Sequence, residues 1–197
     1  MKKPTAEALA PTWILTDDQF NRFKENGFLL FRDQVRVSFS HSHMQDEIHK
    51  MLRIAKGIVQ PHPDDLKESI DGQRSIVGMD LNDRIVAHQR FKLWPTLKLA
   101  ELRTAFVRPE CRGIGLNTFM KKVMLNLIHL QHPDWDGLGY CQPLSMSKNI
   151  FAKLGFQEVS LDFVKEQWST LEKDCPKSDC YLKNDYACGC QVVHLQF

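Results

Sequence analysis

The stretch AELRTAFVRPECRGIGLNTFMKKVM, from Ala100 to Met124, changes character at its middle, and no other stretch constrains the fold as much. It opens as a β-type run, passes Pro109, turns through a tight basic Gly-x-Gly corner at residues 112–115, and continues as a helix. A strand delivered so directly into a helix belongs to a layered architecture in which helices cover a sheet.

The flanking sequence extends that pattern. LTDDQFNRFKENG reads as a short helix, with Thr16 as cap, Gln19 completing a capping box and Gly27 as the stop. FLLFRD follows as a strand. SHSHMQDEIHKMLRIAKG is a helix candidate, since Met44, Ile48, Met51, Leu52 and Ala55 recur at helical spacing and Gly57 ends it. IVQPHPDDLKESIDG reads as a loop or a broken helix. RSIVGMDL and RIVAHQRF flank the polar turn NDR and predict a hairpin, with KLAELRTAFV as the next strand. TFMKKVMLNLIHLQ places Phe119, Val123, Leu127 and Leu130 on one face, with Lys121 and Lys122 off it. GLGYCQPL suits a strand, SMSKNIFAKLG a short helix ending at Gly155, and FQEVSLDF and QVVHLQF two further strands. The expected fold is α+β (α/β), with one mixed, largely antiparallel twisted sheet of about six to seven strands flanked by helices.

Composition narrows the class. A chain of 197 residues that is 43% hydrophobic and 25% charged has the make-up of a globular protein with a core. A net charge of +2 gives no reason to expect nucleic acid or a membrane surface as partner. No apolar run approaches the roughly 20 residues that span a bilayer, and MKK is followed by no long apolar stretch. A cytoplasmic setting with reduced thiols is therefore expected.

The corner itself suggests chemistry. A helix N-terminus offers unsatisfied N–H groups and the positive end of a dipole, and glycine lets a bulky anion approach the backbone. With Arg112 beside it, RGIGLN reads as a pyrophosphate cradle or, equally, as a structural turn with two glycines. No Gly-Lys-Ser/Thr follows, and the third glycine of a dinucleotide fingerprint is missing.

VRPECRGIGLN closely resembles the acetyl-CoA loop of the GCN5-related N-acetyltransferase superfamily, in which a strand ends in Val-x-Pro and the loop reads Gln/Arg-x-x-Gly-x-Gly/Ala. Arg112 fills the first position and Gly115 the middle one, while Asn117 replaces the last small residue. NIFAKLGFQEVS is similar to the superfamily's later helix, which ends in aromatic-x-x-x-Gly-Phe before a strand. The resemblance runs from about Arg74 to Phe163, and more weakly to the terminal strand. It implies residues 36–163 as an acetyltransferase core, residues 1–35 as a tail, short helix and strand, and residues 164–197 as a cysteine-rich segment with a strand completing the sheet. It implies a splayed acyl-CoA N-acyltransferase sheet with acyl-CoA wedged between two parallel strands. Amides of Arg112, Gly113, Ile114, Gly115, Leu116 and Asn117 would hold pyrophosphate, and the backbone of Ala105, Phe106 and Val107 would pair with pantetheine. The expected partners are acetyl-CoA and an amine-bearing acceptor, small molecule or protein, with no nucleic acid and no membrane. The oligomeric state, homodimer included, stays open.

Acetyl transfer needs a neutral amine, and an alkyl ammonium ionises only near 10.4, so a base or water chain must take a proton. In the histone acetyltransferase branch, AEL at this place carries the general-base glutamate, which here is Glu101. The alternative is a solvent-facing strand carboxylate paired with Arg103 or a neighbouring lysine. The family's usual tyrosine acid, four residues before the Gly-Phe glycine, is replaced by Phe151, which the resemblance sets against the cofactor. Tyr140, Ser145 and Ser147 are substitutes for it, directly or through water. Its loss also admits a non-catalytic acyl-CoA sensor. Cys111, just before the helix, is a reactive thiol or a half-buried spacer.

Two further groups carry metal chemistry by residue type. Cys175, Cys180, Cys188 and Cys190 lie within sixteen residues, as Cys-x4-Cys-x7-Cys-x-Cys. They suit a structural zinc, with His194 as a replacement ligand, or free thiols, or redox pairs. His41, His43 and His49 near Asp46 and Glu47 are a metal set or a polar helix face. A remote alternative is an iron and 2-oxoglutarate oxygenase. LTDDQFNRFKENGFLLFRD resembles the opening of the phytanoyl-CoA hydroxylase type, and His132, Asp134 and His194 mimic a facial triad.

Overall fold

The computed structural model describes residues 14–55, 61–141, 147–167 and 191–196. Helix α1 (Asp17–Asn26) begins where Thr16 Oγ1 accepts the Gln19 N–H at 3.2 Å and Gln19 Oε1 accepts the Thr16 N–H at 3.2 Å. It ends at Gly27, whose φ of 74° is left-handed. Strands β1 (Phe28–Phe31) and β2 (Val35–Phe39) form a hairpin. The expected single strand FLLFRD ends earlier because Arg32 and Asp33 turn with positive φ. Strand β2 then alternates Val35, Val37 and Phe39 with Arg36 and Ser38.

Helix α2 (Gln45–Arg53) follows a 3-10 turn at Ser42–Met44. Residues 63–71, read as a loop or a broken helix, form the continuous helix α3 (Pro63–Asp71). Pro63 is harmless in its first turn, and His62 Nδ1 accepts the Asp64 N–H. Strands β3 (Ser75–Met79), β4 (Ile85–Trp94) and β5 (Leu99–Val107) form the expected meander. Helix α4 (Leu116–Gln131), β6 (Asp136–Cys141), α5 (Ser147–Lys153), β7 (Gln157–Glu158), α6 (Leu161–Gln167) and β8 (Gln191–Leu195) complete the order. FQEVSLDF holds a strand of only two residues, because Ser160 then starts α6, its Oγ accepting the Phe163 N–H.

The eight strands form one sheet in the order β1-β2-β3-β4-β5-β6-β8-β7, one strand more than the upper expectation. Every neighbouring pair is antiparallel except β5 with β6. Alternation of side chains gives the sheet two apolar faces. One packs Phe23 of α1, Met120, Val123, Met124 and Ile128 of α4, and Phe151 of α5 against Ile76, Ala87, Phe91, Ala100 and Leu102. The other packs Ile48, Met51 and Leu52 of α2 and Leu66 and Ile70 of α3 against Val77, Met79, Ile85 and Phe106. Each such buried aliphatic contributes about 1.5–3 kcal/mol. The buried stripe of α4 differs from the expected one: Leu130 is 54% exposed, whereas Lys121 is 2% exposed. Among the described residues, no helix is long and apolar enough to cross a membrane.

Candidate active site

The corner between β5 and α4 has the form that RGIGLN predicts. A 3-10 turn at Pro109–Cys111 carries the chain off β5. Its own hydrogen bonds end with the Arg112 N–H, which donates to Pro109 O at 3.2 Å. The first backbone bond of α4 is Phe119 N–H to Gly115 O at 3.0 Å. The intervening amides, at residues 113–118, lie outside that backbone ladder and include the orphan donors of the helix start. Gly113 and Gly115 have φ of 78° and 92°, which a side chain rarely adopts. A Cβ built on Gly113 meets nothing within 4 Å, and one on Gly115 meets only Phe31 Cζ at 3.9 Å, so the concave side is open. Arg112 is braced at the strand end, its Nε donating to Val107 O at 3.0 Å. The corner therefore combines amides that have no backbone partner among the described residues, a helix dipole and a braced cation, a fit for a phosphate-bearing ligand.

The sheet opens beside this corner. Strands β5 and β6 run parallel from Leu99 with Asp136 to Leu102 with Gly139, and their pairing stops there. Both strands continue, β5 to Val107 and β6 to Cys141. The parting coincides with a bulge: the register of β5 on β4 slips between His88 and Arg90, setting Thr104 and Ala105 against Gln89 alone. Thr104 has a φ of 50°, a conformation that strains a β-branched residue by about 1–3 kcal/mol. Arg90 Nε donates to Thr104 Oγ1 at 3.1 Å and Arg90 Nη1 to Ser69 Oγ at 3.2 Å, tying the bulge to α3. Beyond it, among the described residues, the backbone of Ala105, Phe106 and Val107 has no strand partner on the β6 side.

Glu101 lies at the closed end of this cleft. It is 3% exposed and so not solvent-facing, although it does pair with Arg103 as the strand-carboxylate alternative expects. Trp94 Nε1 donates to Glu101 Oε2 at 2.9 Å, and Arg103 Nε lies 2.7 Å from Oε1. On the α4 side, Lys121 Nζ donates to Gln89 Oε1 at 3.2 Å and stands 4.8 Å from the centre of the Phe151 ring. Phe151 packs on Gly139, and Phe156 meets it edge-on at 4.8 Å. Nearby, His88 Nε2 bonds Ser75 Oγ at 2.9 Å, and Ser75 Oγ bonds Ser40 Oγ at 2.7 Å. Burial holds the His88 ring neutral, its pKa lowered to about 3, and the Arg90 cation adds to the effect.

The other expected residues are more scattered. Tyr140 belongs to β6 and Ser147 begins α5, while Ser145 lies outside the described residues. Cys111 is half-buried; burial first, then the Glu110 carboxylate, push its thiol up, against the reactive reading. Cys175, Cys180, Cys188 and Cys190 lie outside the described residues. His41 and His43 stack, and among the described residues no three His, Cys, Asp or Glu side chains gather as a metal set. His194 pairs instead with Asp136 at 2.9 Å, and His132 stacks on Trp135. The single mixed sheet is also not the double-stranded barrel that an iron and 2-oxoglutarate oxygenase needs. Sequence reasoning missed Lys121, Trp94 and Thr104; a lysine next to the buried stripe of α4 was the one available signal.

No family model and no curated protein sequence matches the chain. Many solved structures do. Rv2747 from Mycobacterium tuberculosis, in complex with CoA and NLQ, aligns with a TM-score of 0.61 at 18% identity, covering 82% of this chain and 98% of its own. Arabidopsis thaliana Naa50, in complex with the bisubstrate analogue CoA-Ac-MVNAL, aligns with a TM-score of 0.59 at 13% identity, covering 83% and 99%. An acetyltransferase of the GNAT family from Staphylococcus aureus Mu50 gives 0.59 at 11% identity, covering 82% and 98%. The chain has the acyl-CoA N-acyltransferase fold of the GCN5-related N-acetyltransferases.

Proposed function

On that fold, we propose that this chain transfers an acetyl group from acetyl-CoA to an amine by direct attack. The observation that carries this reading is the coincidence of two openings: the parting of β5 from β6 after Leu102 and Gly139, and the amide-lined glycine corner at the start of α4. A cofactor with an amide-rich arm and a pyrophosphate matches both. The arm pairs with the backbone of Ala105, Phe106 and Val107, and the phosphates lie on the amides of residues 113–117. Arg112 supplies a cation beside them. Structural neighbours in complex with CoA and NLQ, or with the bisubstrate analogue CoA-Ac-MVNAL, support coenzyme A as the kind of ligand.

Glu101 is the proposed base. Trp94 and Arg103 each engage one of its oxygens, and a carboxylate has about four acceptor sites, so further acceptor sites remain. The amine nitrogen attacks the thioester carbonyl, and its excess proton passes to Glu101 directly or through water. The non-catalytic sensor is the second reading, favoured by the same two contacts if they serve only to lock the strands. Calorimetry with acetyl-CoA, followed by a panel of amines with mass spectrometry of the products, separates the two. Gly115→Glu places a side chain and a negative charge in the cradle and abolishes acetyl-CoA binding. A Gly115→Glu variant that binds as well as the parent overturns the placement.

A further inference from the structure

We infer that Lys121 is the group that receives the departing sulfur: its ammonium pairs with the thiolate that acyl transfer from coenzyme A releases. The inference rests on the acyl-CoA reading above and adds to it a residue on α4 that neither the glycine corner nor the strand backbone involves.

Two contacts of Lys121 Nζ, each continued by its partner, place it where the strands part. Its acceptor, Gln89 Oε1, belongs to the residue that faces the bulge of β5, and Gln89 Nε2 donates to Arg103 O at 3.4 Å across that bulge. The ring beneath it, Phe151, lies against Gly139, the last residue of β6 in register with β5. The ammonium is thus held between the two lips of the cleft. A carbonyl oxygen and the face of an aromatic ring are both contacts that a cation makes. Burying a lysine at 2% exposure carries a desolvation cost that an apolar residue avoids, as Met120 and Met124 do on the same face of α4. A buried cation of this kind suits a site where negative charge develops. Phe151, the aromatic residue at the same point, has no proton to give.

The balance of the step is simple. The amine lone pair forms the C–N bond, the C–S bond breaks, and its electron pair stays on sulfur. The amine proton leaves through Glu101 or water. The thiolate is held by the Lys121 charge and takes a proton from water on release.

The test uses the full chain, with coenzyme A and desulfo-coenzyme A as probes. Ionisation of bound coenzyme A is followed by thiolate absorbance as pH is raised. In the parent, the bound thiol ionises roughly 1–2 pH units below the ordinary thiol value near 8.5, as an adjacent cation requires. Lys121→Met and Lys121→Gln return it to the ordinary value, Lys121→Arg keeps it low, and all bind desulfo-coenzyme A like the parent. With an identified acceptor, Lys121→Met lowers kcat roughly 100-fold at unchanged KM for acetyl-CoA. Equal thiol ionisation in parent and Lys121→Met, with coenzyme A bound, overturns the role of Lys121 and leaves the acyl-CoA reading standing. Failure of the parent to bind either probe overturns both.

Discussion

Gly139 stands where β6 leaves β5, and the Phe151 ring occupies the space that any side chain there needs. A Cβ at position 139 falls 2.5 Å from Phe151 Cζ, 2.6 Å from Cε1 and 3.1 Å from Cε2. Carbon contacts are comfortable at about 3.5–4.0 Å, so the ring has to withdraw by about 1 Å. It has little room for that: Phe151 is 3% exposed, and Phe156 meets it at 4.8 Å and 66°. Overpacking of this kind costs about 1–3 kcal/mol. Replacing a strand glycine by alanine returns about 0.5–1 kcal/mol through backbone entropy. Gly139→Ala is therefore expected to destabilise the protein by about 1–2 kcal/mol, a fall in Tm of about 2–8 °C for a chain of this size. The cause is identified by a cycle. Phe151→Leu alone costs about 1–2 kcal/mol through the cavity it leaves. In the double variant the alanine methyl fills part of that cavity, so the combined loss falls short of the sum by at least about 0.5 kcal/mol. Urea unfolding followed by fluorescence, with linear extrapolation, measures all four proteins. A Gly139→Ala variant as stable as the parent, or strict additivity in the double variant, refutes the reasoning.

His88 gives the protein an acid limit. Its folded pKa lies below the unfolded value, so its contribution is fully present above 6.5 and is lost as pH falls towards about 3. At about 1.4 kcal/mol per pH unit, the loss reaches about 5 kcal/mol at the acid end, and His88→Gln flattens the stability profile across that window. Parallel profiles for the two proteins, measured by thermal melts between pH 4 and 7, would refute this. For Glu101→Gln, acetyl-CoA affinity is retained and turnover falls roughly 100- to 10,000-fold near neutral pH, with partial recovery as pH rises. Unchanged turnover assigns the proton to another acceptor.

What the sequence made legible was local. Thr16 and Gln19 lie three residues apart and cap the same turn, so the start of α1 follows from neighbours in the chain. Gly113, Gly115 and the helix behind them are likewise one contiguous signal, and the cradle is built from little else. Features set by distant partners were not legible. Thr104 is an ordinary strand residue by type, and its positive φ comes from a bulge that Gln89 and Arg90 define from the neighbouring strand. Lys121 looked like solvent-facing helix charge until Gln89 and Phe151, far apart in sequence, supplied contacts on the buried side. The alternation of Val35, Val37 and Phe39 in β2 is short and follows directly on the strand signal of FLLFRD, so the sequence does not mark it as a separate strand.

The position of β8 has a consequence for how the chain is made. Although it comes last among the described elements, it lies inside the sheet, between β6 and β7. Forty-nine residues separate Cys141, which ends β6, from Gln191, which begins β8. At about 5–20 residues per second, the ribosome takes about 3–10 s to cover that interval. During that time β6 has no strand on its β8 side, and Leu138, fully buried in the finished sheet, lacks its register partner His194. Such an edge is a template for pairing with another nascent chain. Until β8 docks, the half-built sheet therefore carries that open edge beside the strand that borders the cleft.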